Sequence, residues 1–123
     1  MQAWRDDPDE AASLGTPQPG VSEPLEIAVS AVAAGQIRAA EEWWRVNRPR
    51  APNAIREDLD RASSLIAVQP EVGARARNVA LPGVRRLHLA RIRYHLYYRL
   101  VETPRQIEIL GFWHASRGSS PPI

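Results

Sequence analysis

Neither cysteine nor lysine occurs in this chain of 123 residues. Without cysteine there is no disulfide framework, no thiol nucleophile and no thiolate metal site. The three histidines, His88, His95 and His114, have no ligand-like spacing among themselves, so no metal and no cofactor is expected. Because lysine is absent, all 16 basic residues are arginine, whose planar guanidinium suits carboxylates and phosphates but is a poor proton shuttle. Residues 1–24 lack the apolar core of a leader, and no apolar stretch approaches the ~20 residues of a membrane span. A cytoplasmic, membrane-free protein is expected.

The length suits one domain with a modest core, since domains run to roughly 100–200 residues. The net charge of +2 conceals a polarised chain. Residues 1–72 hold 7 arginines against 12 acidic residues, and residues 73–123 hold 9 against 2. That asymmetry turns the C-terminal half toward an anionic partner, unless the charge is simply a solvated face.

Residues 1–24 combine Pro8, Pro17, Pro19 and Pro24 with the acidic run Asp6-Asp7-Pro8-Asp9-Glu10. Such a composition buries too little surface to offset the entropy of ordering, so a weakly ordered tail is expected, with room for a short helix near Asp9–Leu14. The domain is expected over residues 25–118, followed by a short polar tail at 119–123.

Within the domain, Leu25, Ile27 and Val29 alternate as a strand does, and Ser30 is placed to cap a helix. Ala33, Ile37, Ala40 and Trp44 form one helix face, and Ile55, Leu59, Ala62 and Ile66 form another. Pro49 and Pro52 break the chain between them, which predicts a helical hairpin over 31–68. Residues 74–83 read as a loop. Three strands follow near 84–89, 94–101 and 106–113, linked by short turns into an antiparallel meander. The fold class is therefore α+β: an N-terminal strand and a helical hairpin packed on a three- to four-stranded antiparallel sheet. Trp44, Ile37, Leu59, Ile66, Leu96, Tyr98, Ile107 and Ile109 are the expected core. Tyr94 shares the face of Leu96 and Tyr98, whereas Tyr97, beside His95 and Arg99, is expected to be exposed.

Four segments in this order resemble the RelE/ParE superfamily of bacterial type II toxins. Glu41-Glu42-Trp43-Trp44-Arg45 with Asn47-Arg48-Pro49 resembles the end of the family's first helix. Gln69-Pro70-Glu71-Val72-Gly73 resembles its Pro-Glu-x-Gly turn. Val84-Arg85-Arg86-Leu87 through Arg93-Tyr94-His95-Leu96-Tyr97-Tyr98-Arg99 resembles its second and third strands. Ile107-Glu108-Ile109-Leu110, ending in Trp113-His114-Ala115-Ser116-Arg117, resembles its last strand and His-x-x-Arg tail. The resemblance implies a growth-inhibiting toxin held in a hetero-oligomer by a cognate antitoxin.

Two activities divide that superfamily. RelE-like members cut messenger RNA on the ribosome; ParE-like members inhibit DNA gyrase and are not nucleases. A nuclease would need a base, an acid and cations on the scissile phosphate, for which His114, Tyr97, Arg93 and Arg117 are the candidates. The bland alternative makes His114 a strand-end histidine that secures the C-terminus by hydrogen bonds. The missing lysines, the long hairpin, the Pro-Glu-x-Gly turn and the His-x-x-Arg tail favour the ParE side. For target or phosphate contact the candidates are Arg75, Arg77, Arg85, Arg86, Arg91, Arg93 and Arg117. For the antitoxin they are Trp43, about 100° round the helix from Trp44, and Arg99. A third reading is a small arginine-rich nucleic-acid-binding module, ranked last because most aromatics fall on the face that the helices should cover.

Overall fold

The computed structural model describes residues 23–118 and 120–123, so the expected N-terminal tail and its short helix lie almost wholly outside the described residues. In chain order the elements are β1 (Glu26–Val29), α1 (Ala31–Asn47), α2 (Ala54–Val68), β2 (Ala74–Arg75), β3 (Arg85–Leu89), β4 (Tyr94–Glu102) and β5 (Arg105–His114). The sheet runs β1-β5-β4-β3-β2, with β1 parallel to β5 and every other pair antiparallel.

Local chemistry sets the helix boundaries. Ser30 Oγ accepts from the Ala33 amide at 3.1 Å, satisfying one of the donors that a helix start leaves unpaired. Ala33, Ile37 and Ala40 are buried along α1, and Trp44 packs half-buried against the same core. At the other end the Arg48 amide still reaches the Trp44 carbonyl at 2.7 Å, and Pro49 stops the ladder one residue later. In α2, Ile55, Leu59, Ala62 and Ile66 turn inward. Arg56 and Glu41, 2.9 Å apart, tie the two helices together. Both helices lie on one face of the sheet, over Leu96, Tyr98, Ile107, Ile109 and Phe112.

Two expectations need correction. The segment 74–83 is not wholly a loop, because Ala74 and Arg75 pair with Arg86 and Arg85 and make a fifth strand. The cause lies next door: Tyr98 Oη accepts from the Gly73 amide at 2.9 Å and donates to the Pro70 carbonyl at 2.8 Å, which pins the Pro-Glu-x-Gly turn and leads the chain out alongside β3. The approach is close enough that a Cβ on Gly73 would sit 2.8 Å from that hydroxyl and 3.0 Å from the Arg86 carbonyl oxygen.

The second correction concerns Tyr97, which is 1% exposed rather than open. The sheet face away from the helices is partly roofed. Asn78 Nδ2 donates to Tyr97 Oη at 3.1 Å, and Ala80 donates to the Ile123 carbonyl at 3.0 Å. The Ile123 side chain in turn rests over Gly111, the strand partner of Tyr97. The pairing skips Leu110 at this point, so a bulge separates the registers of Tyr97 and Tyr98. Among the described residues, no helix is long and apolar enough to cross a membrane.

Candidate functional site

Strand β1 ends at Val29, whereas β5 continues to His114, so among the described residues the outer edge of β5 beyond Ile109 has no strand beside it. Gln36 on α1 supplies the missing acceptor there, its Oε1 taking the Phe112 amide at 2.8 Å. The separation of α1 from this edge opens a groove of about 500 Å³, lined by Gln36, Ala39, Trp43, Trp113, His114 and Arg117 among others. Trp43 is 48% exposed at its rim, and Val32 and Val46 are also exposed on α1. Around the helix end, a second cavity of about 440 Å³ lies among Trp43, Trp44, Arg48, Arg91, Arg93 and His114. Arg48 stands over both indoles, 5.3 Å from Trp43 and 5.8 Å from Trp44, and the buried Trp44 Nε1 has no acceptor among the described residues.

The arginines sort into three groups. Arg91 bridges Glu57 (2.9 Å) and Asp58 (3.1 Å) and donates to the Ala54 carbonyl (3.2 Å), so it fastens the β3–β4 turn to the start of α2. Arg85 donates to the Gly73 carbonyl at 2.7 Å, and Arg99 pairs across strands with Glu108 at 2.9 Å. These three side chains are committed within the fold. Arg75 and Arg77 line a third cavity, of about 400 Å³, with Arg85 at its edge. Arg93 takes φ 62° in the turn, and its carbonyl accepts from the Ala115 amide at 2.8 Å.

Arg86 and Arg117 belong to the third group. They meet at a polar pocket of about 230 Å³ on the roofed face, with Asn78, His95, Tyr97 and His114. Arg117 stacks on the Trp113 ring at 4.2 Å. His95 lies edge-on to its cross-strand partner His88, ring centroids 5.0 Å apart. Burial lowers the His95 pKa from its ordinary value, and the neighbouring Arg86 and His88 lower it further.

Of the four catalytic candidates, Tyr97, His114 and Arg117 share this pocket, whereas Arg93 lines only the other cavity, which His114 also reaches. His114 Nδ1 accepts from the Ser116 amide at 3.1 Å, the strand-end role of the bland reading. Tyr94 packs inward, stacked on Phe112 at 4.4 Å, and burial raises its pKa, offset in part by Arg117. Sequence reasoning missed Asn78, His88, Gln36 and Trp113 as site residues. The first three carry no motif. His88 and His95 could have been paired, because they stand symmetrically about the turn that joins β3 to β4.

Residues 27–118 match the family model described as the ParE toxin of the type II toxin-antitoxin system parDE. A search of curated proteins finds no match. Among solved structures, the chain is similar to one titled "Chromosomal ParDE TA system from P. aeruginosa", with a TM-score of 0.61 and 23% identity, over 77% of this chain and 100% of that one. At that identity the likeness bears on the fold.

Proposed function

Since the chain belongs to the ParE toxin family of type II toxin-antitoxin systems, a membership that implies a neutralising antitoxin, we propose that it arrests growth in the cytoplasm by inhibiting DNA gyrase, without nuclease chemistry. The observation that carries this reading is the state of the would-be catalytic groups. Tyr97 Oη is buried against Asn78, His114 Nδ1 is occupied by the Ser116 amide, and Arg93 lies apart from Tyr97 and Arg117, in a cavity it shares with His114. No lysine is present to replace them as a proton carrier. A general acid–base pair must reach the reacting proton, and this set offers no such pair. Target contact then falls to arginines without an acidic partner among the described residues, Arg75, Arg77, Arg86, Arg93 and Arg117, rather than to Arg85 and Arg91.

The antitoxin reading rests on α1. A half-exposed Trp43, the exposed Val46, a stacked Arg48 and the unpartnered Trp44 Nε1 together suit an amphipathic helix that brings one acceptor and an acidic residue. Arg99 does not line that groove, and its pairing with Glu108 makes it the weaker of the two assigned antitoxin contacts.

Purified gyrase and ribosome-bound messages, challenged in parallel, test the activity. Supercoiling should fall while messages stay intact, and His114→Ala should act only modestly, through stability. Messages cut at codon boundaries, with His114→Ala or Arg117→Ala slowing cleavage by roughly 10²–10⁴, would replace this reading with ribosome-dependent endonuclease activity.

A further inference from the structure

The polar pocket on the sheet face away from the helices gathers two of the arginines left for target contact, and its chemistry points beyond a protein target. Two guanidinium groups, Arg86 and Arg117, converge on it, and neither makes an ion pair among the described residues. Among the described residues, no aspartate or glutamate lines it. Its other polar groups are His95, the Asn78 amide, the Tyr97 hydroxyl and His114. Two planar cations with no acid beside them among the described residues complement an oxyanion taken by forked hydrogen bonds.

Size narrows the class. At about 230 Å³ the pocket falls below the roughly 300–1,000 Å³ typical of small-molecule clefts, so it fits one anionic group presented by a longer molecule. Surroundings narrow it again. Trp113, under Arg117 at 4.2 Å, and His95 line the pocket, and the exposed His88 lies edge-on to His95 on the same sheet face. Ring surfaces beside a phosphate-sized cationic pocket are what a single strand needs for its bases, whereas an acidic peptide has no use for them. We propose that this pocket seats one phosphate of a single-stranded nucleic acid, held by Arg86 and Arg117, with the adjoining bases stacked on the bordering aromatic rings. The site binds and does not cleave.

Fluorescence anisotropy of a labelled oligothymidylate with the full chain tests this. Binding should saturate, and log K should fall with log salt at a slope of about −0.7, the value for one neutralised phosphate. Arg86→Ala and Arg117→Ala should each remove about half of that slope, whereas Arg50→Ala, at the turn between the helices, should leave it unchanged. A readout that needs no variant is the His95 imidazole followed by NMR, whose pKa should rise when the oligonucleotide is bound because the anion offsets Arg86. Three results would overturn the proposal: an unmoved His95, an equal loss in Arg50→Ala, or equal competition by polyglutamate of the same length. Displacement by inorganic phosphate at the oligonucleotide's own concentration would assign the pocket to free phosphate instead and overturn the nucleic-acid assignment. Cleavage of the oligonucleotide would overturn the binding-only role, and a failure of gyrase inhibition would leave these outcomes unaffected.

Discussion

Replacing Tyr98 by phenylalanine should be among the more damaging single-atom changes available to this chain. The hydroxyl is buried at 0% residue exposure and serves two backbone groups of one turn, accepting from Gly73 at 2.9 Å and donating to Pro70 at 2.8 Å. Its removal strands a buried amide, which costs about 1–3 kcal/mol, and forfeits a second bond worth about 0.5–1.5 kcal/mol. Water can recover part of the Pro70 carbonyl, which lies at the partly exposed end of the turn. The expected loss is therefore about 2–3 kcal/mol, or roughly 10–20 °C in Tm for a domain of this size. Urea denaturation of Tyr98→Phe beside the parent measures it, with the slope m unchanged if only the native state is affected. Gly73→Ala approaches the same contact from the other side, since its new Cβ would meet both the hydroxyl and the Arg86 carbonyl. Phenylalanine at 98 removes only the first obstacle, so Gly73→Ala should remain destabilising in the Tyr98→Phe background by about 1 kcal/mol or more. A loss below about 0.5 kcal/mol for Tyr98→Phe would refute the argument that this hydroxyl holds the turn.

Arg93→Gly should stabilise the domain slightly, by up to about 1 kcal/mol in chemical denaturation, because φ 62° is costly for a side chain and free for glycine, less the entropy glycine returns to the unfolded chain. Ser30→Ala should cost about 1 kcal/mol by removing the α1 cap, and Ser30→Asp should restore most of it. The lowered pKa of His95 makes its neutral form the one the fold prefers, so its contribution to stability is complete above the ordinary histidine value of about 6.5 and is lost as pH falls through the folded-state value. Thermal melts of the parent should therefore drop on mild acidification more than those of His95→Gln, and parallel curves would contradict the assignment.

Periodicity made the helices legible. Ile37 and Ala40, and then Ile55, Leu59, Ala62 and Ile66, could face only one way, and the hairpin's outer bounds, residues 31 and 68, are those of the two helices. The meander was equally readable because Leu96 and Tyr98 alternate with polar neighbours between short turns. What escaped depends on contacts distant in sequence. The pair Ala74–Arg75 is too short to show alternation, and Tyr98 draws it into the sheet from 25 residues away. Nothing in the polar, proline-containing end announces that Ile123 folds back over Gly111 and roofs Tyr97. The arginines show the same limit: seven were equivalent as candidates, and only partners as remote as Glu57, 34 residues before Arg91, separate the committed cations from the available ones.

The parallel pairing of β1 with β5 joins Glu26 to Gln106, so the first strand waits for the last. At synthesis rates of about 5–20 residues per second, roughly 4–16 s pass between the making of the two. During that interval α1 and α2 exist without the surface that buries Ile37, Leu59 and Ile66, and chains released before Arg105 lack Ile107, Ile109 and Phe112 altogether. Premature termination should thus yield harmless fragments. The host cell meets a competent toxin only once β5 has been made, which leaves an antitoxin already present several seconds in which to engage the growing chain.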